Sequence, residues 1–246
     1  SKYFMDERRP IRLCYKGNTF VNNSSYQGRL KENTQIGAEL IGDSTPEADA
    51  EIIAMVIETL LKAGLKDFQI TLAHVQFFNS LAEDAGMDEA MIEEFKELIQ
   101  NKNNFSLGKL LSELEINEAT KTAIAKLPAL FGGREVLTKA AEMTRNMKAN
   151  EAVVRLEEVY EILKIYGLEQ YVSFDLGMLS SHMYYTGIVF RGYTYGTGEA
   201  LVKGGRYDHL LGHFGKDAPS IGFCVVVNQL MNAMARQKIE IQPENS

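Results

Sequence analysis

The order of strand and helix signals constrains the fold of this chain more than any other feature of its sequence. Two segments, 11–20 and 35–41, have the apolar or alternating pattern of strands and flank a polar loop. Amphipathic helices then dominate residues 76–167, and strand signals return after them. This order predicts an α+β fold, in which a mainly antiparallel sheet flanked by helices carries a helical insertion.

Capping and turn residues predict where individual elements begin and end. A helix should start at Thr45-Pro46-Glu47, which supplies a hydroxyl cap, a first-turn proline and an acidic side chain, and Gly64 should close it. The other predicted helices lie at 77–85, 88–101, 107–114, 117–127, 134–147 and 150–166, with a last one to residue 238. The remaining predicted strands lie at 68–72, 170–176, 184–195, 198–203 and 219–227.

The same pattern predicts how the chain is organised into domains. We expect residues 1–75 and 168–240 to form the sheet-containing core and residues 76–167 to form the insertion. The polar segment 241–246 should be a frayed tail.

Composition and charge favour a protein of the cytoplasm. The sequence has 33 acidic and 26 basic side chains, a net charge of −7, whereas a large nucleic-acid surface needs clustered Lys and Arg. It contains neither an apolar run of membrane-spanning length nor a signal-peptide pattern, so we expect no membrane association. The cysteines, Cys14 and Cys224, and the four histidines lack metal-ligand spacing, so we expect reduced thiols, no metal and no cofactor.

Three residues of the second predicted strand form a candidate polar pocket. Gln35, Gly37 and Glu39 are spaced by two, so their side chains share one face of the strand. The glycine leaves space between an amide and a carboxylate, which suits a small polar ligand with an N–H to donate. Tyr207 follows Gly204-Gly205, where missing side chains permit close backbone approach.

The residues alone leave other interpretations open. Gln35 and Glu39 are equally typical of a solvent-facing strand, and a strand tyrosine usually fills a core or an interface. Gly204 and Gly205 are also typical of a tight turn. Tyr184 and Tyr185 are adjacent in a predicted strand, so we expect them on opposite faces, with only one lining the pocket.

Two stretches together resemble the catalytic domain of histidyl-tRNA synthetases, which are class II synthetases. The first runs through Arg12–Val21 and Gly28–Glu39, and the second through Tyr184–Phe190 and Gly204–Asp208. The resemblance implies a class II synthetase-like fold and a site for L-histidine. By this resemblance the ligand is contacted by Gln35, Glu39, Tyr185 and Tyr207, with Gly204 and Gly205 beside it.

The chain departs from that family where catalysis needs positive charge. Three arginines that stabilise the phosphates in the synthetases are replaced by Val21, Ser180 and Gln229, and Asn23 replaces a glutamate that holds adenine. A charge-assisted hydrogen bond contributes about 1.5–3 kcal/mol, and no neutral side chain replaces the guanidinium fork. We therefore expect aminoacylation to be lost, although Arg29 is a candidate for a residual phosphate contact. As a separate expectation about partners, no tRNA should be bound.

A retained amino-acid pocket without the catalytic arginines resembles the regulatory subunits of ATP phosphoribosyltransferase. That resemblance implies a non-catalytic protein of histidine biosynthesis, which binds L-histidine and assembles with a short-form catalytic subunit for activity and feedback inhibition. It also implies a homodimer within a hetero-oligomer at full length. Only eleven residues precede Arg12, so we expect an N-terminally truncated chain without the dimer-forming class II motif.

Two other hypotheses fit the same residues. The chain could be an architectural subunit with a vestigial pocket, which needs the partner but ignores histidine. It could also be a divergent histidyl-tRNA synthetase fragment, or a paralogue acting on another amino acid, which should show ATP–pyrophosphate exchange.

Overall fold

The computed structural model describes residues 10–20, 31–180 and 183–240. The chain divides into two compact units, Ser1–Ile70 with Phe190–Ser246 and Thr71–Val189. The division falls inside two strands, β3 (Phe68–His74) and β6 (Ile188–Thr194). Val21, Asn23, Arg29 and the tail 241–246 lie outside the described residues, and the predicted domain bounds stay a prediction.

The first unit is built on antiparallel strands. Besides β6, its strands are β1 Ile11–Phe20, β2 Glu32–Ile41, β7 Val202–Arg206 and β8 Ser220–Val226. Their order in the sheet is β1-β2-β8-β7-β6, and β2 pairs antiparallel with both β1 and β8, as β8 does with β7. Strand β1 lies at the edge and is exposed along most of its length.

Helix α1 covers one face of these strands. It spans Pro46–Lys62 and packs against β2 and β8. Its cap is the predicted one, because the Thr45 hydroxyl accepts a hydrogen bond from the Ala48 backbone N–H at 3.4 Å. Gly64, with φ of +99°, follows the helix in a conformation that favours glycine. The buried face of α1 consists of Ile52, Ile53, Val56, Ile57 and Leu60.

The second unit is mainly helical. Its helices are α2 Val75–Asp84, α3 Glu89–Gln100, α4 Asn104–Glu113, α5 Glu118–Lys126, α6 Glu135–Met143 and α7 Met147–Ile165. Five of them begin at a side chain that accepts a backbone N–H: His74, Asp88, Asn103, Asn117 and Asn146. Strands β4 (Phe131–Gly132) and β5 (Val172–Asp175) pair antiparallel, and β3 neighbours β5. The helix α8 (Val227–Arg236) belongs to the first unit.

Two strand boundaries differ from the sequence prediction in ways that matter for the site. Strand β7 was predicted at 198–203 but spans Val202–Arg206, so Gly204 and Gly205 lie inside it and do not form a turn. Strand β6 was predicted from 184 but begins at Ile188, so Tyr184 and Tyr185 precede it. Their predicted separation onto opposite faces of a strand is therefore wrong, and their ring centroids lie 4.5 Å apart.

Candidate functional site

The candidate site lies on the face of the first unit that carries Glu39. In the paired strands, Glu39 is opposite Gly222, and Gly222 is opposite Gly205. Residues opposite each other in adjacent strands share a face, so one carboxylate stands beside two glycines. Gln35 and Gly37 lie on the same face of β2, as the spacing of two predicts.

Gly222 provides the space that the Glu39 side chain occupies. A Cβ atom added at Gly222 would lie 1.6 Å from Glu39 Oε2 and 2.8 Å from the Ala38 carbonyl oxygen. Any larger residue at this position would force the carboxylate to move. The strand glycine thus lets the carboxylate lie across the sheet instead of projecting into solvent.

Glu39 and Tyr207 form the central polar contact of the site. The Tyr207 hydroxyl donates a short hydrogen bond to Glu39 Oε2. Burial raises the pKa of the Glu39 carboxyl, and the hydrogen bond from Tyr207 opposes part of that rise. A carboxylate offers more acceptor positions than the one hydrogen bond from Tyr207 uses.

Arg206 holds the end of β7 from the opposite face of the sheet. Its guanidinium donates to Asp49 Oδ1 at 2.7 Å, to Asp208 Oδ1 at 3.0 Å and to the Asp43 carbonyl oxygen at 3.0 Å. The Arg206 and Asp49 side chains are 5% and 0% exposed. Because Arg206 directly precedes Tyr207, this buried ion pair fixes the strand that positions the tyrosine hydroxyl.

The two glycines of β7 have different surroundings. Gly205 is in register with Gly222 and lies on the Glu39 face. Gly204 lies on the other face, where an added Cβ would be 2.2 Å from Phe190 Cζ and 2.6 Å from the Gly222 carbonyl oxygen. Close packing of a buried aromatic ring therefore accounts for Gly204, whereas Gly205 places no side chain on the Glu39 face opposite Gly222.

Three side chains on the Glu39 face were not singled out from the sequence as site residues. Tyr15, Gly37, Cys224 and Lys203 form one cross-strand row, which places Tyr15, Cys224 and Lys203 on this face. Burial raises the pKa of the Cys224 thiol and the nearby Glu39 adds to the rise, while Lys203 opposes it. Whether these three side chains lie on the Glu39 face depends on the register of the strands, which no local sequence signal specifies.

Tyr185 and Ser180 belong to the second unit. Tyr185 is half-buried and packs against a small apolar cluster of Ala73, Met178 and Val189. Tyr185 and Ser180 line a cleft of about 50 Å³, whose other walls are Val75, Phe78, Asn79, Lys96, Leu179 and Met183. The Lys96 ammonium in this cleft is paired with Glu93 at 2.8 Å. The role of Tyr185 in ligand binding stays a prediction.

Two of the positions at which the resemblance to the synthetases predicts a lost arginine are described, and their side chains carry no charge. Ser180 is half-buried in the second unit, and Gln229 is half-buried in the first turn of α8. Beside Gln229, the Asn228 side chain accepts a hydrogen bond from the Thr34 backbone N–H at 2.8 Å, which joins the start of α8 to β2. The third position, Val21, lies outside the described residues.

Within residues 10–20, 31–180 and 183–240, no three His, Cys, Asp or Glu side chains are grouped as a metal ion would need. Over the same residues, every helix is too short or too polar to cross a membrane.

The fold and site together define a class II synthetase-like core: mainly antiparallel strands flanked by helices, as the sequence predicted. The family model described as histidyl-tRNA synthetase matches residues 2–230, and the chain belongs to this family.

Within this family, the resemblance to regulatory subunits is confirmed. An ATP phosphoribosyltransferase regulatory subunit from Acetivibrio thermocellus is 41% identical over 237 residues, which are 96% of this chain and 57% of that protein. One from Thermoanaerobacter pseudethanolicus is 42% identical over 94% of this chain and 61% of its own length. The chain therefore spans 57–61% of these two relatives.

A solved structure agrees with these relatives. A crystal structure from Bacillus halodurans, described as an ATP phosphoribosyltransferase regulatory subunit/histidyl-tRNA synthetase, superimposes with a TM-score of 0.85 at 34% identity. The match covers 94% of this chain and 60% of the other.

Proposed function

We propose that this chain is a non-catalytic regulatory subunit of ATP phosphoribosyltransferase, a glycosyltransferase of histidine biosynthesis, and that its ligand is free L-histidine. The observation that carries the proposal is the Glu39–Tyr207 pair beside Gly222 and Gly205. The names of the relatives support the regulatory role, and the pocket supports the ligand.

The pocket chemistry fits an imidazole side chain. Tyr207 occupies one acceptor position of Glu39 and so fixes the direction of the carboxylate. An imidazole N–H donates to a remaining acceptor position, and the Gln35 amide on the same strand face offers both a donor and an acceptor. A site built from such groups rejects apolar side chains of the same size, because its buried polar groups would be left unpaired.

Regulation without aminoacylation follows from the neutral residues at the former arginine positions. Ser180 and Gln229 cannot stabilise the charge that develops on phosphate during adenylate formation. The pocket can then bind histidine without consuming it. This is the behaviour that a feedback sensor needs, and we propose that the chain performs it in the cytoplasm with the catalytic subunit as its partner.

Feedback through this chain has a thermodynamic requirement. If histidine inhibits the assembled enzyme by lowering its affinity for substrate, substrate must lower the affinity for histidine by the same factor. The corresponding coupling free energy is typically about 1–3 kcal/mol. The coupling is therefore measurable from either ligand.

The test is reconstitution of the chain with a short-form catalytic subunit, followed by measurement of phosphoribosyl transfer to ATP with and without L-histidine. We expect activity to depend on the chain and to fall when histidine is added. Glu39→Gln should still activate the catalytic subunit. Its binding of histidine should weaken by about 1.5–3 kcal/mol, the contribution of one charge-assisted hydrogen bond. Glu58→Gln, on the exposed surface of α1, is the matched control and should behave as the wild type.

The other hypotheses predict different results in the same experiment. Activation without any response to histidine would favour an architectural subunit with a vestigial pocket. A histidine-stimulated ATP–pyrophosphate exchange without the catalytic subunit would contradict the proposal and favour a synthetase fragment.

A further inference from the structure

The ring of Tyr15 lies over Gly37, at the middle of the candidate pocket. Tyr15 on β1 is directly opposite Gly37 on β2. A Cβ atom added at Gly37 would be 2.6 Å from both Cζ and Oη of Tyr15. The phenol end of the side chain therefore occupies the space that a larger residue at position 37 would fill.

This position is midway between the two polar side chains proposed to hold the ligand. Gln35 and Glu39 are each two residues from Gly37, or about 6.6 Å along the strand. Both point to the same face as the Tyr15 ring. A ligand that reaches from the amide to the carboxylate must pass over the ring.

The backbone beneath the Tyr15 ring leaves no room for a side chain at position 37. The same added Cβ at Gly37 would lie 2.3 Å from the Phe223 carbonyl oxygen. Glycine is therefore required at position 37, and the surface between Gln35 and Glu39 is supplied by the neighbouring strand. Tyr15 is 44% exposed, so part of its ring is open to solvent.

A purely structural role for Tyr15 is the alternative. Aromatic side chains can cover a glycine in a neighbouring strand and so stabilise the pairing. Any sufficiently large apolar side chain would serve that purpose. A flat ring between a carboxylate and an amide has a further property, since it offers a face against which a planar side chain can pack.

We propose that Tyr15 forms the floor of the ligand site and that the planar side chain of the bound amino acid packs on its ring. The proposal rests on the proposed function, because it assigns a specificity-determining residue to the same pocket. Tyr15 selects a planar, unsaturated side chain, while Glu39 selects its N–H.

The test compares two substitutions in the full chain by calorimetric titration with L-histidine. Tyr15→Phe keeps the ring and should bind within about threefold of the wild type, whereas Tyr15→Leu covers Gly37 without a ring and should bind about tenfold more weakly. Tyr193→Leu is the matched control, because Tyr193 is a strand tyrosine of the same unit with 38% exposure. It should bind as the wild type does.

A proton NMR measurement distinguishes packing of the ligand on the Tyr15 ring from a purely structural role of this ring. Packing on an aromatic face should move the imidazole C–H resonances of bound histidine upfield, and this shift should persist in Tyr15→Phe and shrink in Tyr15→Leu. Unchanged affinity and shift in Tyr15→Leu, with the wild type binding normally, would overturn the role of Tyr15 alone. If the wild type itself fails to bind histidine, the proposed function and the floor both fail.

Discussion

The two faces of the strands in the first unit are built differently: one is closely packed, and the other leaves space around a carboxylate. On one face, Gly204 lies against the Phe190 ring, and the neighbouring side chains of β2 and β8 are buried apolar residues. On the other face, Gly222 and Gly205 leave space around a half-buried carboxylate. Since adjacent residues alternate between the faces, each short segment of strand contributes both to the packed core and to the proposed binding face.

The two adjacent glycines of β7 therefore have separate roles. Gly204 permits close packing of the core, and we propose that Gly205 permits access of the ligand to Glu39. Substitutions should therefore separate into those that mainly lower stability and those that mainly lower binding, according to the face they alter.

The largest stability effect is expected for the buried ion pair on the packed face. Asp49→Ala leaves the Arg206 guanidinium without its fully buried partner, and the free energy of unfolding should fall by about 3–5 kcal/mol in denaturant titrations. Glu51→Gln breaks the exposed Arg12–Glu51 pair instead and should lower it by no more than about 1 kcal/mol. Equal effects of the two substitutions would show that Asp49 does not organise this face.

Gly204→Ala should be the next most destabilising. The added methyl group meets both a buried aromatic ring and a carbonyl oxygen, so we expect a loss of about 1–3 kcal/mol in the same titrations. Gly17→Ala is the control, because an added Cβ there meets no heavy atom within 4 Å among the described residues. A Gly204→Ala variant as stable as Gly17→Ala would contradict the packing assigned to this face.

Gly222→Ala should alter the other face. Its added Cβ meets the end of the Glu39 side chain, which is flexible and can move, and the Ala38 carbonyl oxygen at 2.8 Å. Some stability should therefore be lost, but less than at Gly204, where a buried aromatic ring is in the way as well. Displacement of the carboxylate should weaken histidine binding by about tenfold or more, as loss of a charge-assisted hydrogen bond does. Calorimetry and denaturant titration should be run on the same variant. Normal histidine binding together with a sharp loss of stability would contradict the different roles assigned to the two faces.

The smallest expected effect is the pH dependence of stability caused by Glu39. Burial raises the folded-state pKa of this carboxyl above its unfolded value, so its contribution to stability is present at low pH and is lost as pH rises through the folded pKa. Glu39→Gln removes the ionised, partly buried group. Its melting temperature should exceed that of the wild type at pH 7.5, and the difference should shrink toward pH 4. A difference in melting temperature that grew at low pH would contradict a raised folded-state pKa for Glu39.

The sequence was sufficient for helix α1 and for the polar face of β2. Helical periodicity, the Thr45 cap and Gly64 predict α1 because these signals are local. The spacing of Gln35, Gly37 and Glu39 predicts their common face because side chains in a strand alternate.

The sequence was insufficient where contacts between strands decide the outcome. A Gly-Gly pair has the composition of a turn, yet Gly204 and Gly205 lie in β7, where one neighbours Phe190 and the other Gly222. The positions of Tyr15 and Cys224 likewise depend on the register of β1, β2 and β8. Local signals do not contain this register, because it is set by pairing over long sequence separations.

The most direct test of the central claim is calorimetric titration of this chain with L-histidine, with histidinol and L-glutamine as comparison ligands. We expect saturable binding that is selective for histidine, is weakened by Glu39→Gln and is unchanged by Glu58→Gln. No heat of binding for histidine, or equal binding of glutamine, would contradict the assignment of the Glu39 face as a histidine site.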